Sequence, residues 1–230
     1  MSDAVTWHSQ IALDFDAKYT TSAPFRERLA VWSEVIERYV PAGAAVVDAG
    51  CGSGILSEVA AKRAGSVFGF DGSPEMIAIA QARKIAGRLA NVSFKVAQLE
   101  DAAVLHGQTF DVALCSSVFE YVDDYWRSFD WLTAHLKPAG TIIFSMPNGA
   151  STYRKLERAA YKMTGWPAYY THVRNVPHPA DVDLELRQRK FEVIETRYYA
   201  SAPILSRPAR TIGRPDLADC LFVKVCRSPA

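Results

Sequence analysis

The feature that most constrains the fold is the run Val46-Val47-Asp48-Ala49-Gly50-Cys51-Gly52-Ser53-Gly54. Two β-branched residues read as the end of a buried strand, and three alternating glycines open a helix expected over residues 55–62. A glycine turn lets a ligand approach bare backbone, because no side chain intervenes and φ > 0 is allowed. The helix that follows aims its free N–H groups at whatever sits there. The stretch therefore predicts a bound small molecule with an anionic end.

Around it, strands and helices alternate. Two helices are expected first, over residues 7–19 (Ile11, Phe15 and Tyr19 on one face) and 24–39 (Leu29, Trp32, Val35 and Ile36 inward). Strands follow at 45–48, 67–70, 92–96, 110–115 and 141–146. Ser73-Pro74-Glu75 starts a helix after the second strand, and Trp126, Phe129, Leu132 and Leu136 mark one before the fifth. This rhythm predicts an α/β fold, a Rossmann-like doubly wound sheet covered by helices on both faces, with ligands at the carboxyl rim of the strands. The late runs 191–199 and 219–226, joined by a proline-rich loop, are expected as an antiparallel pair closing the sheet.

With 230 residues, the chain suits one well-buried domain. It divides into an N-terminal helical cap (1–43), a cofactor-binding core (44–148), an insertion (149–179), and a closing helix and strands (180–230). Twenty-six basic residues against 25 acidic ones ask for no nucleic acid. No apolar run of about 18 residues marks a membrane span, and the N-terminus lacks a secretory pattern, so a cytoplasmic location is expected. The four cysteines form no CxxC pair, and no metal site is read from the sequence.

Four features taken together resemble the class I S-adenosylmethionine-dependent methyltransferases: the D-x-G-x-G-x-G stretch, Asp71 ending the second strand, Gln98-Leu99-Glu100-Asp101 after the third, and Leu136-Lys137-Pro138-Ala139-Gly140 before the fifth. The resemblance covers about residues 7–148 and is nearest to the small-molecule branch that includes ubiquinone-biosynthesis O-methyltransferases. Departures from that branch are Gln98 where an acid often stands, Tyr121 where a histidine does, and Ala139 for glycine.

The resemblance implies S-adenosyl-L-methionine as cofactor. Asp71 and Gly72 would meet the ribose, and Gly50, Cys51, Gly52 and Gly54 the methionine tail. Asp48 would lie near the ammonium and sulfonium charges. Gln98, Leu99, Glu100, Met76 and Ser116 would surround the remainder, with Val118 opposite Met76 across the adenine. A carboxylate at a strand tip suits paired ribose hydroxyls. Asp48 has bracing of the loop as its alternative role.

Methyl transfer needs positioning and exclusion of water, with a base only where the acceptor must lose a proton. Tyr121 is the first candidate to contact the acceptor. His172 and His178, in the insertion, are the candidate bases, with His8 and Tyr19 behind them. Tyr153, Tyr161, Trp166, Tyr169 and Tyr170 suggest that the insertion closes over the acceptor as an aromatic wall. Its basic residues Arg154, Lys155, Arg158 and Lys162 read as a solvated face, with peripheral membrane contact as a further reading.

The expected reaction is O-methylation of a small hydroxylated or carboxylated molecule. N-methylation, a non-catalytic cofactor-binding domain and an NAD-dependent dehydrogenase are the alternatives. Ile55, where a dinucleotide fingerprint has its third glycine, speaks against the last. A base-flipping enzyme is disfavoured because Cys115-Ser116-Ser117-Val118 lacks the Asn/Asp-Pro-Pro-aromatic turn.

Overall fold

Runs that are apolar on both sides need cover on both faces of the sheet they build. The computed structural model describes residues 3–101 and 103–229 and shows that arrangement. Its strands are β1 (Ala45–Ala49), β2 (Ser66–Asp71), β3 (Val92–Val96), β4 (Phe110–Ser116), β5 (Leu136–Pro147), β6 (Glu192–Tyr199) and β7 (Leu221–Arg227), in the sheet order β3-β2-β1-β4-β5-β7-β6. Pairing is parallel from β3 through β5, while β7 runs against both of its neighbours, β5 and β6. The expected doubly wound sheet with a late antiparallel pair is thus the fold. Strand order reverses between β1 and β4, which opens a crevice at their carboxyl ends.

Alternating side chains feed two cores. Val46, Val112, Leu114 and Ile143 pack against α3 (Ala23–Tyr39) and α4 (Ile55–Ala61) through Trp32, Val35, Ile36, Leu56 and Ala60. Val47, Ala113, Cys115, Ile142 and Phe144 face the other way. There they meet Phe129 and Leu132 of α6 (Tyr125–Thr133) and Val182 and Leu186 of α8 (Pro179–Gln188). Trp32 is fully buried and donates its indole N–H to the Tyr199 hydroxyl at 3.3 Å, satisfying the one polar atom that its burial would otherwise strand.

Three local expectations give way to tertiary pairing. The helix expected over 7–19 is two helices, α1 (Asp3–Gln10) and α2 (Ala12–Thr21), parted at Ile11, where ψ is 9°. Each follows its own neighbour. Ser9 Oγ donates to Ser73 Oγ at 2.8 Å, at the start of α5 (Pro74–Ala86), whereas Asp16 holds Arg83 of α5 at 2.7 Å. Leu136 belongs to β5 rather than to the preceding helix, because it pairs with Phe110. A register shift, with Ala139 at φ 56°, then brings Thr141 opposite Val112. The loop after β6 contains a further short helix, α9 (Ser206–Thr211).

The segment after β5 opens with a clamp, Asn148 Nδ2 donating to the Asp216 and Asp219 carbonyls at 2.7 and 2.8 Å. Then comes α7 (Thr152–Thr164), none of whose residues is buried; Leu156 and Met163 on it and Trp166 beyond it are exposed. Among the described residues, no helix is long and apolar enough to cross a membrane.

Lys224, in the middle of β7, is fully buried, with Nζ 2.6 Å from Asp183 Oδ1 and 3.1 Å from Thr196 Oγ1. Removing Asp183 strands the fully buried ammonium, whereas removing Lys224 leaves behind only a carboxylate that is 36% exposed to water. Asp183→Ala is therefore expected to destabilise by about 2–3 kcal/mol, below the range for fully buried pairs because Asp183 meets solvent. Lys224→Met is expected to cost less than half of that, and urea denaturation of the two variants checks the order.

Candidate functional site

At the carboxyl ends of β1, β2 and β4 lies a cavity of about 420 Å³. The glycine turn forms its floor. Gly50, Gly52 and Gly54 all have positive φ, but for different ends. A Cβ on Gly54 would fall 2.8 Å from Phe94 and 2.9 Å from Ala80, so this glycine lets α4 and α5 pack and does not line the cavity. A Cβ on Gly52 would meet only Met76 Sδ, at 3.9 Å, and would take up cavity space.

Asp71, at the tip of β2, holds the turn in shape. Its Oδ2 accepts from Gly52 N–H and its Oδ1 from Ser73 N–H, both at 2.9 Å. Burial raises its pKa, against which these two N–H donors and His8 act. Each oxygen keeps a lone pair for a ligand. Asp48 is fully buried beneath the floor, accepting from Ser57 Oγ at 2.6 Å. Burial pushes it up to about 6, with Asp71 adding to the rise and Ser57 and Arg28 opposing it.

The far wall comes from the chain after β3 and β4. Gln98, Leu99, Glu100, Ser116, Val118 and Tyr121 line it, together with Cys51, Gly72 and Met76 from the floor side. Glu100 is already engaged, its Oε1 accepting from Ser128 Oγ at 2.6 Å and its Oε2 pairing with Arg127 at 2.9 Å. Burial, and then the neighbouring Glu120, hold the Tyr121 phenol far above its ordinary value, so it stays a donor. Glu120 itself is buried, off the lining, and pushed up to about 7 by burial, with Arg28 opposing the rise.

The roof is the N-terminal cap. Ala4, Val5, His8, Phe15, Tyr19 and Arg28 close the cavity from α1, α2 and α3. The expected lid function of the insertion has little support in this arrangement, since Arg174 is its one residue among the described ones to reach the lining. Nor are the two insertion histidines on the lining. His172 stacks on Trp7 at 5.2 Å, and His178 caps α8 by accepting from Ala180 N–H at 3.3 Å. The insertion's aromatics turn to one another: Tyr169 stacks on Tyr170 at 4.7 Å, and Arg154 sits over both rings.

Arg28 has no counterpart among the expected site residues. One guanidinium nitrogen donates to Ser116 Oγ at 2.7 Å and to the Ser116 carbonyl at 3.1 Å, which fixes the group at the end of β4. Its Nε is buried without a hydrogen-bond partner, and no carboxylate of the described residues forms an ion pair with it. The signal was present in the sequence: Arg28 lies four residues before Trp32 and seven before Val35, so a charged residue stands on the buried stripe of an amphipathic helix.

An anion-seeking guanidinium, a half-buried carboxylate at a strand tip and a bare glycine turn thus face one cavity with apolar walls. Such a space suits a ligand with a sugar-like diol at one end and a zwitterion at the other.

A family model described as a methyltransferase domain matches residues 25–196. A ubiquinone biosynthesis O-methyltransferase from Xanthomonas axonopodis pv. citri is 33% identical over 185 residues, covering 80% of this chain and 77% of that protein. Among solved structures, magnesium protoporphyrin IX methyltransferase from Synechocystis PCC 6803, with bound S-adenosylhomocysteine, superposes at a TM-score of 0.72 with 16% identity, covering 98% of this chain and 97% of that one. The N-methyltransferase NodS from Bradyrhizobium japonicum WM9, in complex with S-adenosyl-L-homocysteine, gives 0.67 with 16% identity, covering 93% and 91%.

Proposed function

Since the chain belongs to the S-adenosylmethionine-dependent methyltransferases, we propose that it methylates a hydroxyl group of a small-molecule acceptor. The observation that carries the cofactor's placement is the charge pattern of the cavity. Asp71 offers two oxygens at the tip of β2, and Arg28 offers a buried, unpartnered N–H from α3. The donor set fits the cofactor end to end. Asp71 would accept the ribose hydroxyls, Gly50 and Gly52 would lie along the methionine chain, and Arg28 would take the carboxylate. Asp48 supplies negative charge beneath the ammonium and sulfonium groups. Leu99 and Met76 would flank the adenine.

When bound, the cofactor would supply a sulfonium methyl group for an acceptor atom to take up in line, with a neutral thioether as the displaced group. The protein's share is to orient and to exclude water. The cap residues Phe15 and Tyr19 close the cavity above the glycine turn, and Tyr121 presents a phenol O–H toward the acceptor side. The choice of a hydroxyl over an amine rests on the similarity to ubiquinone biosynthesis O-methyltransferases.

Titration calorimetry with S-adenosylhomocysteine is expected to give one site per chain, with no heat from nicotinamide dinucleotides. A protein that binds neither the methyl donor nor its product would end this reading. Incubating the protein with isotopically labelled methyl donor and a metabolite extract is then expected to label a compound at oxygen. Label found on nitrogen would transfer the assignment to an N-methyltransferase.

A further inference from the structure

His8 is a titratable group on the cavity wall that the proposed chemistry has not yet used. Its Nδ1 lies 2.8 Å from the carbonyl oxygen of Ala4, one turn back on α1. A carbonyl only accepts, so Nδ1 carries the proton and the neutral ring keeps its lone pair on Nε2. Three aromatic rings set the orientation of the imidazole. Trp7 and Tyr121 meet it edge-on at 4.7 and 5.0 Å, and Phe15 does so at 6.0 Å.

Burial holds this imidazole below its ordinary value. The hydrogen bond to Ala4 and the Asp71 carboxylate on β2 act upward, while His172 beyond Trp7 and Arg28 on α3 act downward. The ring is therefore neutral at pH 7 and able to take a proton.

The other candidates for that task are occupied or misplaced. Tyr121 stays protonated, His172 is off the lining behind Trp7, and His178 is spent on a helix cap. Asp48 and Asp71 hold Ser57 and the backbone of the turn. We propose that His8 Nε2 is the base that receives the acceptor's proton, and that the acceptor is accordingly a phenol-type hydroxyl compound rather than a carboxylic acid. This inference rests on the methyl-transfer reading above.

The chemistry separates the two acceptor classes. A carboxylic acid is ionised at neutral pH and needs no base, whereas a phenol, with a pKa of about 10, keeps its proton until the reaction. In the step itself the acceptor oxygen bonds to the methyl carbon, and the carbon–sulfur bond breaks with its electron pair left on sulfur. The hydroxyl proton passes to His8 Nε2, and the imidazolium returns it to water once the cavity opens. The base comes from the cap, so the group that closes the cavity is also the one that activates the acceptor.

The test uses the full chain, labelled S-adenosylmethionine, and two probes: catechol for phenols and benzoate for carboxylic acids. Catechol is expected to take up label and benzoate not. His8→Asn keeps an N–H for the Ala4 carbonyl but has no base, and His8→Phe removes both. Both are expected to lower transfer to catechol about 100-fold while leaving S-adenosylhomocysteine affinity within about twofold. In the wild type, log rate is expected to rise with unit slope up to the imidazole pKa and then level; in the variants the rise shifts toward the pKa of the phenol. The ¹⁵N imidazole spectrum of the wild type with S-adenosylhomocysteine bound is expected to show a neutral ring protonated on Nδ1.

The proposal is overturned by variants that keep the rate within about threefold, by a pH break that does not move, or by benzoate labelled as fast as catechol. It is equally overturned by no label in catechol from a protein that binds S-adenosylhomocysteine, or by an imidazole protonated on Nε2. The last reading decides the matter even where neither variant folds. A wild type that does not bind S-adenosylhomocysteine refutes the methyl-transfer reading instead.

Discussion

Asp71→Ala is expected to weaken binding of S-adenosylhomocysteine about 100- to 1,000-fold in titration calorimetry. Two hydrogen bonds from ribose hydroxyls to a carboxylate, each contributing roughly 1.5–2 kcal/mol, account for that range. The carboxylate has a second task, accepting from Gly52 and Ser73 N–H at 2.9 Å each, so the variant also loosens the turn. A fall in melting temperature of several degrees is expected alongside, since each stranded N–H costs about 1 kcal/mol or more. Asp71→Asn separates the two tasks only in part, because its single oxygen serves one of the two N–H groups. The fragment 5′-methylthioadenosine carries the ribose but no amino acid, and it is expected to lose as much affinity as the whole product. Unchanged affinity in Asp71→Ala would refute the ribose assignment.

Arg28→Met gives the opposite pattern. S-adenosylhomocysteine is expected to lose about 30- to 300-fold, corresponding to roughly 2–3.5 kcal/mol for a buried charge pair, while 5′-methylthioadenosine keeps its affinity within about twofold. Equal losses for both ligands would mean that Arg28 serves the shape of the cavity and not the carboxylate.

The same variant carries a pH signature through Asp48, whose pKa of about 6 Arg28 holds down. A carboxyl raised above its unfolded value holds its proton longer in the folded state. Its contribution to stability is therefore present at low pH and is lost as pH rises through the folded pKa. Removing Arg28 raises that pKa further. The melting temperature of Arg28→Met relative to the wild type is thus expected to be lower at pH 8 than at pH 5.

Much of the site could be read in the linear chain because it is built from strand tips. A strand tip, a glycine turn and a helix start are adjacent in sequence, and parallel pairing brings Asp48, Asp71 and Ser116 to one rim whatever else the chain does. All the cofactor residues expected there except Gly54 line the cavity. Gly54 matched the spacing, yet its lack of a side chain serves the contact with Phe94 and Ala80, which no local pattern shows. The roof was not legible in the same way. Aromatic richness pointed to residues 149–179, but Tyr169, Tyr170 and Arg154 satisfy one another, and His178 is used by its own helix.

What the sequence determined by itself was the local grammar. Alternation of short apolar strands with capped helices implies a doubly wound sheet, and three glycines after a strand imply a ligand at its rim, because backbone sterics and strand handedness leave few other solutions. What only the tertiary structure decided was which distant segments meet over that rim. His8 reaches the cavity because α1 and α2 part at Ile11 and settle against α5, through Ser9 on Ser73 and Asp16 on Arg83, and Arg28 because its guanidinium on α3 is held by Ser116 at the end of β4. Such contacts join residues more than sixty positions apart. Their energies depend on packing and desolvation, which exist only once the chain has folded.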